Sequence, residues 1–148
     1  MPVTATPIFA QAPYMACTTL AAQTACTTRG PTATANLAAA NIIQIVPTST
    51  NGLRIDSIQV NACSTAFTSA TAGNIVGIWV WDGTTAFLFT EILVTAVTPS
   101  TTVAGFTSTL TFANPLVLPS TFKLYASVSV TTAAATTALQ VSVMGGSY

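Results

Sequence analysis

Charge is the scarcest property of this sequence. Only 4% of its 148 residues are charged, and three basic side chains balance three acidic ones to give a formal net charge of zero. An ordinary soluble domain has about 25% charged residues and stays dispersed partly through that charge. The surface must therefore rely on uncharged polar side chains or be covered by other protein. Three basic residues are also too few to neutralise a nucleic-acid backbone, so we expect no nucleic-acid partner.

Histidine, the commonest general base, is absent. No phosphate-binding glycine loop, nucleophile elbow or C-x-x-C pair occurs, so we expect no enzyme activity, no cofactor and no metal centre. Carboxylates of Asp56, Asp82 and Glu91 could in principle form an acid–base pair or a calcium site. A structural role is favoured, with Asp82 in a turn while Asp56 and Glu91 neutralise Arg54. We therefore predict a structural polar network that consists of Arg54, Asp56, Asp82 and Glu91.

Cysteines are few, and Cys17, Cys26 and Cys63 are an odd number. Without an export signal, a disulfide framework is not expected. Small buried thiols are favoured, with a Cys17–Cys26 pair as the alternative. No apolar run reaches the roughly 20 residues of a membrane-spanning helix. The N-terminus also lacks the basic and hydrophobic regions of a signal peptide, so we expect no membrane partner.

The first 41 residues show neither helical nor strand periodicity, and prolines at positions 2, 7, 13 and 31 interrupt them. We predict that residues 1–41 form an extended N-terminal arm that leaves its own domain and packs on neighbouring subunits. Deleting residues 2–35 is then expected to leave a folded domain that assembles poorly. Five large apolar side chains in the arm gain most from burial and are predicted to lie in an interface: Ile8, Phe9, Tyr14, Met15 and Leu20.

From residue 42 to 148 the pattern consists of short runs of period two separated by turns. No helical pattern interleaves these runs. The predicted fold class is therefore all-β, an antiparallel two-sheet β-sandwich of jelly-roll type with about seven or eight strands. A change of apolar parity between Ile55 and Ile58 predicts a β-bulge near Asp56 and Ser57. Strands are predicted at 42–46, 53–62, 74–81, 86–94, 106–112, 116–118, 121–130 and 138–144.

The strand at 74–81 is apolar on both faces, with Gly77, Trp79 and Trp81 on one of them. Such a strand is covered on both sides. One cover is the core, and the other is an arm, a loop or a second subunit. We favour a second subunit, so Trp79 and Trp81 join the predicted interface residues. The alternative is that Trp79, Trp81 or Tyr125 forms an aromatic platform for a sugar.

Several segments resemble a family of small proteins encoded among bacteriophage structural genes. These segments are "NGLRIDSIQVNA", "WDGTTAFLFTEILVTAVTPSTTVAGF", "LVLPSTFKLYAS" and "VMGGSY", and they fall within residues 51–148. The resemblance implies a β-sandwich component of the virion, most directly one that decorates a capsid. It carries no catalytic motif, which agrees with the lack of catalytic side chains.

The resulting prediction is a non-enzymatic capsid decoration, or cement, protein. It is expected to form a homotrimer and to bind the major capsid protein at the capsid surface, after synthesis in the host cytoplasm. A tail, fibre or baseplate component of the same kind of particle is one alternative. A carbohydrate-binding module for host attachment is another, and a bacterial surface adhesin would require an export signal.

Overall fold

The computed structural model describes residues 12–33, 41–65 and 69–148. Within this part of the chain no helix is long and apolar enough to cross a membrane. The described residues form nine β-strands: β1 (Ala12–Leu20), β2 (Thr32–Ala33), β3 (Ile42–Val46), β4 (Leu53–Ala62), β5 (Asn74–Trp81), β6 (Thr85–Val94), β7 (Thr107–Leu118), β8 (Lys123–Val128) and β9 (Leu139–Ser147).

The strands form two antiparallel sheets. Sheet 1 has the order β1-β9-β4-β7, and sheet 2 has the order β2-β6-β5-β8-β3. Apart from the two-residue β2, each sheet has four strands, and the first and last long strands, β1 and β9, are neighbours. This is the strand order of a jelly roll. The predicted fold class is confirmed.

The main core lies between the two sheets. Inward-facing aliphatic side chains of β4 and β9 meet those of β5 and β8, and each such residue contributes roughly 1.5–3 kcal/mol by leaving water. Their burial is complete because each face of the core is a continuous sheet. The side chains with 0% exposure include Ile58, Val60, Val141, Val143, Val76, Ile78, Leu124 and Val128.

Strand β4 contains the predicted bulge. Its register with both neighbouring strands shifts between Ile55 and Ser57. Ile55 and Ile58 are three positions apart, yet both are 0% exposed and face the core. The bulge prediction is confirmed. Gly145 lies opposite Ile55, and a Cβ at this glycine would collide with the carbonyl oxygen of Arg54.

Strand β7 is one strand, whereas the sequence predicted two strands separated by a turn at Asn114 and Pro115. Thr111 lies opposite Ser57 of β4, and Leu116 lies opposite Ile55. Five steps along β7 therefore match two steps along β4. The residues between them are accommodated as an irregularity opposite the β4 bulge, so the proline is tolerated without ending the strand.

The predicted domain boundary at residue 41 is wrong for strand β1. This strand pairs with β9 along its whole length, and Leu20 at its end is 0% exposed within the main core. The strand was missed because its inward-facing positions include Ala16 and Thr18. These residues differ little in polarity from their outward-facing neighbours, so no alternation was visible.

Candidate functional site

The outer face of sheet 2 is built around Trp79. Its side chain is 1% exposed, and the indole Nε1 donates a hydrogen bond to Ser127 Oγ at 2.8 Å. The indole packs with Ile42 and Ala86 in a second apolar cluster outside the main core. Gly77 lies beside it, where a Cβ would be only 2.8 Å from Ser127 Oγ and 3.1 Å from the indole nitrogen. A large aromatic residue is therefore fitted over a glycine.

The cover over Trp79 comes from the same chain. Residues 21–31, here named the crossing segment, pass over the outer face of sheet 2 from β8 towards β6. The Cys26 backbone N–H donates to the Val128 carbonyl oxygen at 2.7 Å, and Arg29 Nε contacts Glu91 Oε1 at 2.7 Å. β2 then pairs with the end of β6.

This path follows from the topology, because β1 belongs to sheet 1 while β2 lies at the far edge of sheet 2. The chain has to cross a sheet face to connect them. Cys26 packs against the cluster that contains Trp79. The prediction that a second subunit covers this tryptophan is wrong.

A cleft of about 240 Å³ remains between the crossing segment and sheet 2. Thr27 and Thr28 form part of one wall, and Ile75 and Leu88 lie in the opposite wall. The charged groups in its lining are Arg29 and Glu91, which pair with each other. Since Glu91 is held in this ion pair, the lining contains no free base beside a hydroxyl or thiol. Across the described ranges, no group of three or more metal-ligating side chains occurs.

The predicted polar network does not form as one unit. Arg54 Nε and Asp56 Oδ1 are 2.8 Å apart, and both side chains are nearly half exposed. Glu91 pairs with Arg29, so the prediction that it neutralises Arg54 is wrong. The two partners are 62 residues apart in the chain, which no local pattern reveals. Exposed pairs of this kind contribute about 0–1 kcal/mol each.

Asp82 is a turn residue, as predicted. Its Oδ1 accepts hydrogen bonds from the backbone N–H groups of Thr85 at 2.8 Å and Thr84 at 2.9 Å. These two donors favour the charged carboxylate and lower the pKa of Asp82 below its ordinary value of 3.8. Lys123 Nζ lies 4.7 Å from the ring centroid of Trp81, at the same end of sheet 2. Each of the six charged residues of the chain thus has a partner.

The predicted interface residues differ in how far they are buried within their own subunit. Leu20 and Trp79 are buried in their own subunit, so an interface role for them is wrong, because they have no surface to offer. Tyr14 and Trp81 are half-buried, while Met15 is 67% exposed. Ile8 and Phe9 lie outside the described residues. The burial of Trp79 also removes it as a platform for a sugar.

The cysteines form no disulfide, and all three are free thiols. Cys17 is exposed on sheet 1, so the expectation of a buried thiol is wrong there; its Sγ lies 3.4 Å from Ser142 Oγ. Cys26 and Cys63 are half-buried. Partial burial raises the pKa of the Cys63 thiol.

One part of the outer face of sheet 1 has no charged side chains, and it is here named the uncharged face. Its side chains bond to one another: Thr107 Oγ1 donates to Asn61 Oδ1 at 2.7 Å, and Gln140 Nε2 donates to Ser142 Oγ at 3.4 Å. Arg54 and Asp56 are the only charged residues in the four strands. Two adjacent rows across the strands form this face: Thr19, Gln140, Asn61 and Thr107, then Cys17, Ser142, Gln59 and Thr109.

The edge of β6 exposes apolar side chains that were not predicted as interface residues. Phe87 is 43% exposed, Phe89 is 44% exposed and Leu93 is 66% exposed. The ring of Phe89 lies 5.9 Å from that of Phe112 on β7, between centroids. The signal was present in the sequence, since residues 86–94 have apolar side chains at odd and even positions alike. Apolar residues on both faces were considered only for the strand at 74–81.

Comparisons with protein-family models, with curated proteins and with solved structures found no match. The surface chemistry of the chain itself therefore carries the functional interpretation.

Proposed function

We propose that this protein is a non-enzymatic structural subunit of a virion, and that it decorates the capsid by binding the major capsid protein. The observation that carries the proposal is the uncharged face of sheet 1. It is four strands wide, and its rows consist of uncharged polar side chains with one cysteine. A surface of this kind is suited to lie flat against another protein.

The energetics of such a contact are favourable because no isolated charge has to leave water. Removing an ion from water costs several kcal/mol unless it finds a partner. Two hydrogen bonds already join side chains within the face, one between Thr107 and Asn61 and one between Gln140 and Ser142. Burial of these groups therefore leaves fewer unsatisfied polar atoms than burial of an unpaired polar surface would.

Two further features support the proposal. The resemblance to phage structural proteins falls within residues 51–148, which contain most of both sheets. The cleft beneath the crossing segment has its one carboxylate, Glu91, in an ion pair. A capsid decoration protein requires a rigid scaffold and contact surfaces but no reactive group.

The test is a binding assay with virions that lack this protein. Gold-labelled subunits added to such particles are expected to cover the whole shell in electron micrographs. Thr109→Lys places a charge in the uncharged face and is expected to weaken binding at least about tenfold, because a charge at an interface core is strongly disfavoured. Thr101→Lys is the matched control, since Thr101 is also exposed but lies in the loop between β6 and β7.

Three outcomes contradict the proposal. Labels confined to the tail would favour a tail, fibre or baseplate component over capsid decoration. An absence of labelled particles would exclude both virion roles. Equal loss of binding for the two lysine variants would show that the uncharged face is not the contact surface.

A further inference from the structure

A two-sheet sandwich has four edge strands, and exposed edges invite pairing with another chain unless they are protected. Three edges of this fold are protected. β7 contains Pro115 and the irregularity opposite the β4 bulge. β3 has only five residues, with a register shift between Gln44 and Val46. β1 contains Pro13 and lies against β3.

The fourth edge, that of β6, is less protected: its irregularity is a register shift with β5 at Phe89, and the strand continues past it to Val94. β6 is ten residues long and contains no proline. β2 pairs only with Ala86 and Thr85 at its beginning. Along residues 87–94, β6 has no strand partner on its outer side among the described residues. This open stretch is also where Phe87, Phe89 and Leu93 are exposed.

Charge does not protect this edge either. Natural edge strands are often guarded by charged side chains that repel a second strand. The one charged residue of β6 is Glu91, and its carboxylate is neutralised by Arg29 Nε at 2.7 Å. Two copies of β6 can therefore approach each other without a strong like-charge repulsion.

We propose that the β6 edge is a self-association site, at which residues 87–94 pair antiparallel with the same residues of a second copy. A two-fold axis makes two identical strands antiparallel and presents the same surface from both sides. The pairing would satisfy the open backbone groups and remove Phe87, Phe89 and Leu93 from water. A two-fold contact builds an even-numbered oligomer, so it is an alternative to the predicted homotrimer.

The experiment is sedimentation equilibrium of the full chain and two variants from about 1 to 500 µM. Leu93→Lys puts a charge on the β6 edge, and Met15→Lys is the matched control on β1; the two side chains are 66% and 67% exposed. The wild-type protein is expected to form dimers. Leu93→Lys is expected to raise the dimer dissociation constant at least about tenfold, and Met15→Lys to change it by less than about twofold.

Hydrogen exchange of the wild-type protein provides a second measurement that needs no variant. Amide protons in residues 87–94 are expected to exchange more slowly at high protein concentration than at low concentration. A monomer across the whole concentration range, a trimer, or equal weakening by both lysine variants would overturn the proposal. Because virion binding is tested separately with Thr109→Lys, failure of either idea leaves the other intact.

Discussion

Gly77 illustrates how the smallest side chain determines the position of the largest. The indole of Trp79 and the hydroxyl of Ser127 occupy the space that a side chain at position 77 would need. Neither group can move freely, because the indole N–H is buried and Ser127 Oγ is its acceptor. The sequence showed the alternation Gly77–Trp79–Trp81 but not which neighbour fills the space, since Ser127 comes from a strand 48 residues away.

Gly77→Ala is therefore expected to destabilise the fold by about 1–3 kcal/mol, the usual cost of overpacking. The added methyl group would lie 2.8 Å from Ser127 Oγ and 3.2 Å from Leu88 Cδ1. Urea unfolding followed by tryptophan fluorescence measures the loss. Gly30→Ala is the control, because a Cβ at Gly30 meets nothing within 4 Å. Equal stability of the two variants would contradict this account of Trp79 packing.

Asp82 gives the hairpin between β5 and β6 a dependence on pH. Its pKa in the folded protein lies below the ordinary value of 3.8 because the Thr85 and Thr84 N–H groups donate to the carboxylate. A lowered folded pKa means that the charged form stabilises the fold above pH 3.8, and that this contribution is lost as the pH falls through the folded pKa.

We expect Asp82→Asn to unfold at a lower temperature than the wild type at pH 7, since the amide is a weaker acceptor than the carboxylate. The difference in melting temperature should be smaller at about pH 2 than at pH 7, because the stabilisation by the charged carboxylate is lost as the pH falls below 3.8 through the lowered pKa of Asp82. Circular dichroism melts at both pH values provide the comparison. A difference of the same size at both values would show that the charge of Asp82 does not stabilise the turn.

At the scale of elements, short apolar or alternating runs bounded by turn residues predicted β3, β4 and β5 with their observed bounds, and the parity change predicted the β4 bulge. β1 was not predicted, because alanine and threonine on its two faces give no contrast. The crossing segment has no periodicity at all and is held by distant partners. Its ion pair joins residues 62 positions apart, and such a contact depends on the strand order of the whole sandwich.

Membership of β1 in the sandwich is tested by Leu20→Ala. Leu20 is 0% exposed, so the truncation is expected to cost about 2–5 kcal/mol by leaving a cavity. Met15→Ala on the same strand is the control, and its 67% exposure predicts a change within about 0.5 kcal/mol. Chemical denaturation gives both values. If the two substitutions cost the same, β1 is not packed on the core.

The same reasoning reverses the expectation for deletion of residues 2–35. That deletion removes β1 and the crossing segment, so it uncovers Trp79 and one edge of the main core. We now expect an unfolded or aggregated product, detected by loss of cooperative thermal unfolding. A truncated chain that still melts cooperatively would restore the original arm hypothesis for residues 12–35. For residues 1–11 that hypothesis stays a prediction.

At the scale of the whole molecule, each charged side chain is engaged with a partner on the same chain. The two ion pairs, the Asp82 turn and the contact of Lys123 with Trp81 leave no strong external field. Long-range electrostatic steering is therefore weak, and contacts with other molecules depend on shape, hydrogen bonds and apolar burial.

Association of this protein is accordingly expected to be insensitive to salt. Between about 0.05 and 1 M NaCl, the dissociation constant for self-association or for virion binding should change less than about threefold, because salt weakens contacts between charges and the few charged side chains of this chain already have partners within it. Sedimentation at the two salt concentrations measures it. A steep rise of the dissociation constant with salt would contradict this expectation. It would mean that a charged side chain leaves its partner within the chain and forms an ion pair with the other molecule.

The pairing of the first long strand with the last one has a consequence for synthesis in the cell. Ala12 lies opposite Ser147, so sheet 1 cannot close until β9 has left the ribosome. Pairings between such distant residues are slow to form. Until they do, the nascent chain exposes β1 beside the apolar surfaces that will become the core. A bound chaperone would protect the chain during that interval, and slow translation of β9 would prolong it.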